Sequence, residues 1–185
     1  MTDPIVVNPG RVCYQELKHW KYRTTQDRLE NIGIVPPKDL EIKNKSGEVV
    51  MRWTMDGMLY QRHGYCTDGA SGPTIDTPDT MRPAHNHDGG YQFGRAGMIG
   101  PEYRDKFDRL LERCLIEDGN ILAKRLEDLA KTQGWFDALQ SRAKAQWIHA
   151  TIGARAHAWY MAVHQFAGDA FKPGWDPINE EKIAP

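Results

Sequence analysis

The chain has 185 residues, enough for one domain of ordinary size, and 40% of them are hydrophobic, enough to bury a core. Its formal net charge of -1 excludes the strongly basic balance of a general nucleic-acid or anionic-membrane binder. No apolar run approaches the ~20 residues of a membrane helix, and Met1-Thr2-Asp3-Pro4-Ile5-Val6-Val7 lacks the basic stretch and apolar core of a signal peptide. Cys13, Cys66 and Cys114 are odd in number and form no C-x-x-C pair. A thiolate zinc site and a disulfide framework are therefore not expected, and the chain reads as one folded in a reducing cytoplasm.

In chain order, Val12 to Leu17 and His19 to Thr24 carry strand-forming residues with partial alternation. Pro36-Pro37 ends whatever precedes it. Leu40 to Lys43 and Val49 to Met55 flank Lys45-Ser46-Gly47, which predicts a hairpin with glycine at the left-handed position. Asp56-Gly57 is a second turn before Met58 to Arg62. From Tyr65 to Pro83 the chain is rich in turn residues, and a loop that long inside a domain is often functional. Helical spacing then takes over. Leu110, Leu111, Cys114 and Leu115 form one apolar stripe, with Gly119-Asn120 as a stop; Ile121, Leu122, Leu126 and Leu129 form the next, ended by Gly134. Phe136 to Ile148 and Ala156 to Phe166 suggest two further helices, with Gly153 separating or weakening them. The expected class is α+β in a single domain over 1–185: mainly antiparallel β over 1–65, a motif loop over 66–84, a helical core over 85–168 and an extended tail over 169–185.

The densest chemistry is Ala84-His85-Asn86-His87-Asp88-Gly89-Gly90-Tyr91. A histidine acting as a general base needs a carboxylate to hold its far nitrogen and to stabilise the imidazolium. Asp108 supplies one if it lies on the next, antiparallel helix. His87 and Tyr91 share a helix face, and Arg104 lies four residues from Asp108, placed to keep that carboxylate ionised. Upstream, Asp68-Gly69 offers a carboxylate and a tight turn whose carbonyls suit a hard cation such as calcium, with Asp88 as a second carboxylate. A metal there would polarise an ester or phosphoryl oxygen while His87 activates water.

Thr67-Asp68-Gly69-Ala70-Ser71, then His87-Asp88-Gly89-Gly90-Tyr91, then Arg104-Asp105-Lys106-Phe107-Asp108 resemble a phage- and prophage-associated family of small uncharacterised proteins. Its pattern is G-F-x-T-D-G-A-S-x-P, H-D-x-L-Y and R-x-x-A-D, and the likeness covers roughly residues 60–118. Here Gly72 precedes Pro73, and Gly90 stands where a leucine is usual. That pattern is in turn similar to the core of secreted, bacterial-type phospholipase A(2). On this likeness His87 is the base, Asp108 its partner, Tyr91 a supporting group, and Asp68, Asp88 and the Gly69 carbonyl hold calcium. The flanking disulfides and the glycine-rich loop of those enzymes are absent. The resemblance implies synthesis in a host cytoplasm and two functions: hydrolysis of a phospholipid or other ester, or a non-catalytic role in a virion, in contact with other virion proteins or with copies of itself.

Each motif also has a plainer reading. His87-Asp88 is compatible with a helix cap, Asp68-Gly69 with an ordinary turn, and Arg104-Asp108 with a surface pair. Ser71 lacks the G-x-S-x-G elbow of a nucleophile. His63, His85, His149, His157 and His164 read as capping, solvent-facing or core-edge residues rather than ligands. Trp147, Trp159 and Trp175 read as packing or interface residues.

Overall fold

The computed structural model describes residues 23–44, 46–67 and 80–173, together with the backbone of Ile5–Val6, Tyr14–Glu16 and Tyr22. The predicted α+β order holds: a mostly antiparallel β region precedes three helices. One sheet has five strands, β1 (Ile5–Val6), β4 (Arg28–Asn31), β7 (Met58–Gln61), β6 (Val49–Trp53) and β5 (Leu40–Lys43), in that spatial order. The other has three, β2 (Tyr14–Glu16), β3 (Tyr22–Thr24) and β8 (Cys66–Thr67). The β5–β6 hairpin forms as predicted, with Leu40 opposite Trp53 and Ile42 opposite Met51, and Gly47 adopts φ 81°. The Asp56-Gly57 turn then sends β7 back along β6, with Gly57 at φ 83°. The pairing of β1 with β4 is parallel.

Strand β4 has an inverted pattern. Its buried residues are Arg28 and Glu30, whereas Leu29 is half-buried and Asn31 exposed. Alternation of side chains along a strand therefore delivers two charges into the protein. Leu40, Ile42, Met51, Trp53 and Leu59 bring apolar surface to the same core. Trp53 is fully buried, donates its indole N–H to the Ile34 carbonyl at 2.8 Å, and meets Phe93, Tyr103 and Phe107 with ring centroids 5.2–5.6 Å away.

Helix α1 (Met81–Arg95) is central, with 13 of its 15 residues buried. It contains Gly89, Gly90 and Gly94, each costing about 1 kcal/mol of helix propensity. Packing explains them. A Cβ on Gly89 would lie 2.6 Å from Gln61 of the sheet, one on Gly90 2.1 Å from the Phe107 ring, and one on Gly94 2.8 Å from the Phe171 ring. Three neighbours thus approach the α1 backbone, and Tyr91, on the Phe171 side, lies under that same ring.

Helices α2 (Arg104–Ala130) and α3 (Trp135–Phe166) form a long antiparallel hairpin, with α1 packed on the first half of α2. Two expected helix breaks are absent. Gly119 lies inside α2, because its missing Cβ leaves room for the Ile152 side chain, which a Cβ would meet at 2.5 Å. Gly153 lies inside α3 with nothing within 4 Å of a built Cβ, so the two expected later helices are one. The motif loop is also narrower than expected: Cys66–Thr67 is a strand and helix begins at Met81. The tail assigned to 169–185 opens with a short 3-10 turn, Asp169–Phe171, that buries Phe171; from residue 174 onward it lies outside the described residues. Among the described residues no helix is long and apolar enough to cross a membrane.

Candidate functional site

One turn of α1 faces α2 with His87 and Tyr91, four residues apart. Opposite them, in the second turn of α2, is Asp108, with no exposed surface. The His87 ring nitrogen Nε2 lies 3.1 Å from Asp108 Oδ1, and the Tyr91 hydroxyl donates to that oxygen at 2.6 Å. The second oxygen, Oδ2, has His164 Nδ1 at 3.2 Å, from the last turn of α3, and Arg104 Nε at 3.8 Å. Three helices therefore converge on one buried carboxylate.

Electrostatics fix the proton positions. Burial opposes the charge on Asp108, but hydrogen bonds from His87, Tyr91 and His164 outweigh it and hold the carboxyl below its usual range. An ionised carboxylate only accepts, so each imidazole must present an N–H to it. His87 Nε2 therefore carries a proton, and Nδ1 is the nitrogen that titrates. Burial lowers the His87 basicity, yet Asp108 and Asp88 more than restore it, and its pKa lies above the ordinary value. Asp88 Oδ1 stands 3.5 Å from Nδ1. Tyr91, buried and bonded to a carboxylate, stays protonated through the physiological range.

The predicted group His87, Tyr91 and Asp108 is thus brought together, with Asp88 beside it. Asp68, Gly69 and Ser71 lie outside the described residues, as does Trp175. Calcium wants six to eight oxygen ligands. Among the described residues no three His, Cys, Asp or Glu side chains converge to hold a metal. Asp88 is the described member of the expected calcium ligand set.

Compared with protein-family models, curated proteins and solved structures, the chain matches none.

A second polar cluster lies on another face of α1 and was not foreseen from sequence. Arg82 donates from Nε to both oxygens of Asp118 at 2.9 and 3.0 Å, from Nη1 to Glu30, and from Nη2 to Glu117 at 2.8 Å. Arg28 bonds Gln61, Glu30 and Asn86, and the Asn86 amide returns to Glu30 at 3.2 Å. Arg28, Glu30, Arg82, Asn86 and Asp118 are all buried. Burial and the neighbouring Glu30 and Glu117 charges push the Asp118 carboxyl up to about 6 against the pull of Arg82. Burial also pushes the Cys114 thiol up to about 11. The cluster joins β4, α1 and α2 and has the character of a brace. Its trace in the sequence is the i,i+4 pair Arg82–Asn86 on α1.

The remaining histidines divide. His63 is exposed beside Asp27. His149 and His157 face Asn120 and Glu112 across the helix hairpin. His85 is fully buried, and burial together with Arg28 holds it well below its usual pKa, so it is neutral. His164, read from sequence as a core-edge residue, belongs to the site instead.

Proposed function

We propose that this chain is a phage-type hydrolase that cleaves a phospholipid or related ester with water activated by His87. The observation that carries this reading is the orientation of the dyad: Nε2 is committed to the buried Asp108, and Nδ1 is turned toward Asp88 and away from that carboxylate. In the reaction Nδ1 takes a proton from water as the oxygen attacks the ester carbonyl. The imidazolium is stabilised by Asp108, and the same proton then passes to the departing alkoxide. Tyr91 remains a hydrogen-bond donor throughout and fixes the carboxylate. Activity rises as His87 loses its proton, through a pKa above its ordinary 6.5.

Further support comes from two departures from the family pattern. Where that pattern has leucine and alanine, this chain has Gly90 and Phe107. These two face each other, and the Phe107 ring fills the space above Gly90. The exchange moves volume from α1 to α2 while leaving His87 opposite Asp108. The test is His87→Ala and His87→Gln, assayed for fatty-acid release from phospholipid vesicles with each common divalent cation. Loss of hydrolysis in both is expected; a fully active variant, or an inert wild-type protein, would sink the reading.

A second reading has its own observation. Asp108, on α2, is bonded by groups from both other helices, as a structural brace would be, and α3 exposes Trp135, Phe136, Leu139 and Trp147. On this reading the chain is a non-catalytic virion protein. Its absence from purified particles would count against it.

A further inference from the structure

We infer that His164 is a positioning residue of this site: it anchors the second oxygen of Asp108 so that the first is presented to His87. The catalytic consequence rests on the hydrolase reading, whereas the geometry does not.

The need for an anchor follows from the side chain. The last torsion of an aspartate is broad and roughly two-fold, so a carboxylate held through one oxygen can swing. Oδ1 already carries two donors, His87 and Tyr91. The donor within hydrogen-bond distance of Oδ2 is His164 Nδ1 at 3.2 Å; Arg104 Nε stands back at 3.8 Å. Without His164 the carboxylate gains by turning toward Arg104, and Oδ1 moves away from His87 Nε2.

His164 is itself fixed, although it is 44% exposed at the side chain. Its ring stacks on Tyr160 with centroids 5.3 Å apart. The Tyr160 hydroxyl bonds Asp105 at 3.0 Å, and Asp105 Oδ1 lies 3.7 Å from His164 Nδ1. Arg104 holds the backbone: its Nη2 donates to the carbonyl of Val163 at 3.1 Å, which also accepts from the Ala167 N–H, and to that of His164 in the last turn of α3. The same guanidinium reaches the Tyr91 hydroxyl at 3.4 Å. Just beyond α3, Phe171 covers the Tyr91 ring edge-on at 5.0 Å, and Arg95 donates to the Ala170 carbonyl at 3.3 Å. The end of α3 and the turn after it are thus a third wall of the site, closed by Arg104 below and by Phe171 above.

The experiment reads the hydrogen bond directly. With ¹⁵N-histidine labelling, the His87 Nε2–H proton is observed at low field, assigned by its loss in His87→Gln, and its exchange with solvent is timed. His164→Phe keeps a ring and removes the donor; His164→Gln restores an N–H. In His164→Phe, exchange of the His87 proton is expected to accelerate at least about ten-fold while cooperative unfolding is retained; His164→Gln recovers most of the protection. Should the phenylalanine variant not fold, His164→Ala takes its place. Unchanged exchange in a folded donor-less variant, or no protected His87 proton in the wild type, overturns the inference. Where hydrolysis of a short-chain phosphatidylcholine is present, His164→Phe lowers kcat with KM unchanged. A wild type that hydrolyses nothing defeats the proposed function, while the exchange measurement still decides the role of His164.

Discussion

Replacing Asp108 with asparagine preserves the shape of the side chain and removes its charge. Asp108 is fully buried and accepts hydrogen bonds from His87, Tyr91 and His164. A hydrogen bond to a charged group contributes about 1.5–3 kcal/mol and a neutral one about 0.5–1.5, so three weakened bonds lose about 3 kcal/mol. The amide also turns an N–H₂ toward groups that donate, which adds to the loss, while the relief of burying a charge offsets part of it. A net destabilisation of about 2–4 kcal/mol is expected. For a chain of 185 residues, 3 kcal/mol corresponds to a fall in Tm of roughly 6–12 °C. The pH dependence is more diagnostic. The folded pKa of His87 is raised, so its contribution is complete below the ordinary 6.5 and is lost as pH rises through the folded value. The folded pKa of Asp108 is lowered, so its contribution is present above the ordinary 3.8 and is lost as pH falls through the folded value. The difference between wild type and Asp108→Asn is therefore greatest between these two ordinary values and narrows on both sides. Urea unfolding followed by circular dichroism from about pH 3 to about pH 9 measures it. A loss below about 0.5 kcal/mol, or a difference that is flat with pH, refutes the placement of a charged His87–Asp108 pair.

The two glycines of the long hairpin should respond in opposite directions. Gly119→Ala forces a Cβ into Ile152 and is expected to cost about 1–3 kcal/mol, whereas Gly153→Ala, in an open helical position, should stabilise by about 0.5–1 kcal/mol; urea midpoints of the two variants decide it. Arg82→Gln leaves Glu30 and Asp118 buried without their shared cation and should cost about 3–5 kcal/mol, with more than half recovered in Arg82→Gln/Asp118→Asn. A single variant with near wild-type stability would show that the cluster is not the brace described. Native Cys114, buried and with a thiol pushed up to about 11, should resist alkylation until the protein unfolds, as peptide mass analysis of modified protein would show.

The sequence by itself determined the phases of the elements. The i,i+4 spacing of His87 with Tyr91 and of Arg104 with Asp108 set which groups share a face, and the glycine turns set the β5–β6–β7 meander. These are local facts, fixed by helical and strand periods over a few residues. Which faces were to be buried was not local. Arg28 and Glu30 point inward because Glu30 is met by Arg82, 52 residues away, and Arg28 by Glu30, Gln61 and Asn86, and alternation read along β4 would have favoured Leu29. Gly119 marks a helix crossing rather than a helix end because Ile152, on α3, fills its space. His164 joins His87 only because a hairpin of two long helices brings position 164 back to position 108. Period and propensity describe a segment against an average surrounding, whereas a buried charge, a missing Cβ and a shared carboxylate are each defined by one particular partner. The tertiary structure supplied those partners, and with them a His87–Asp108 pair held from three helices instead of two.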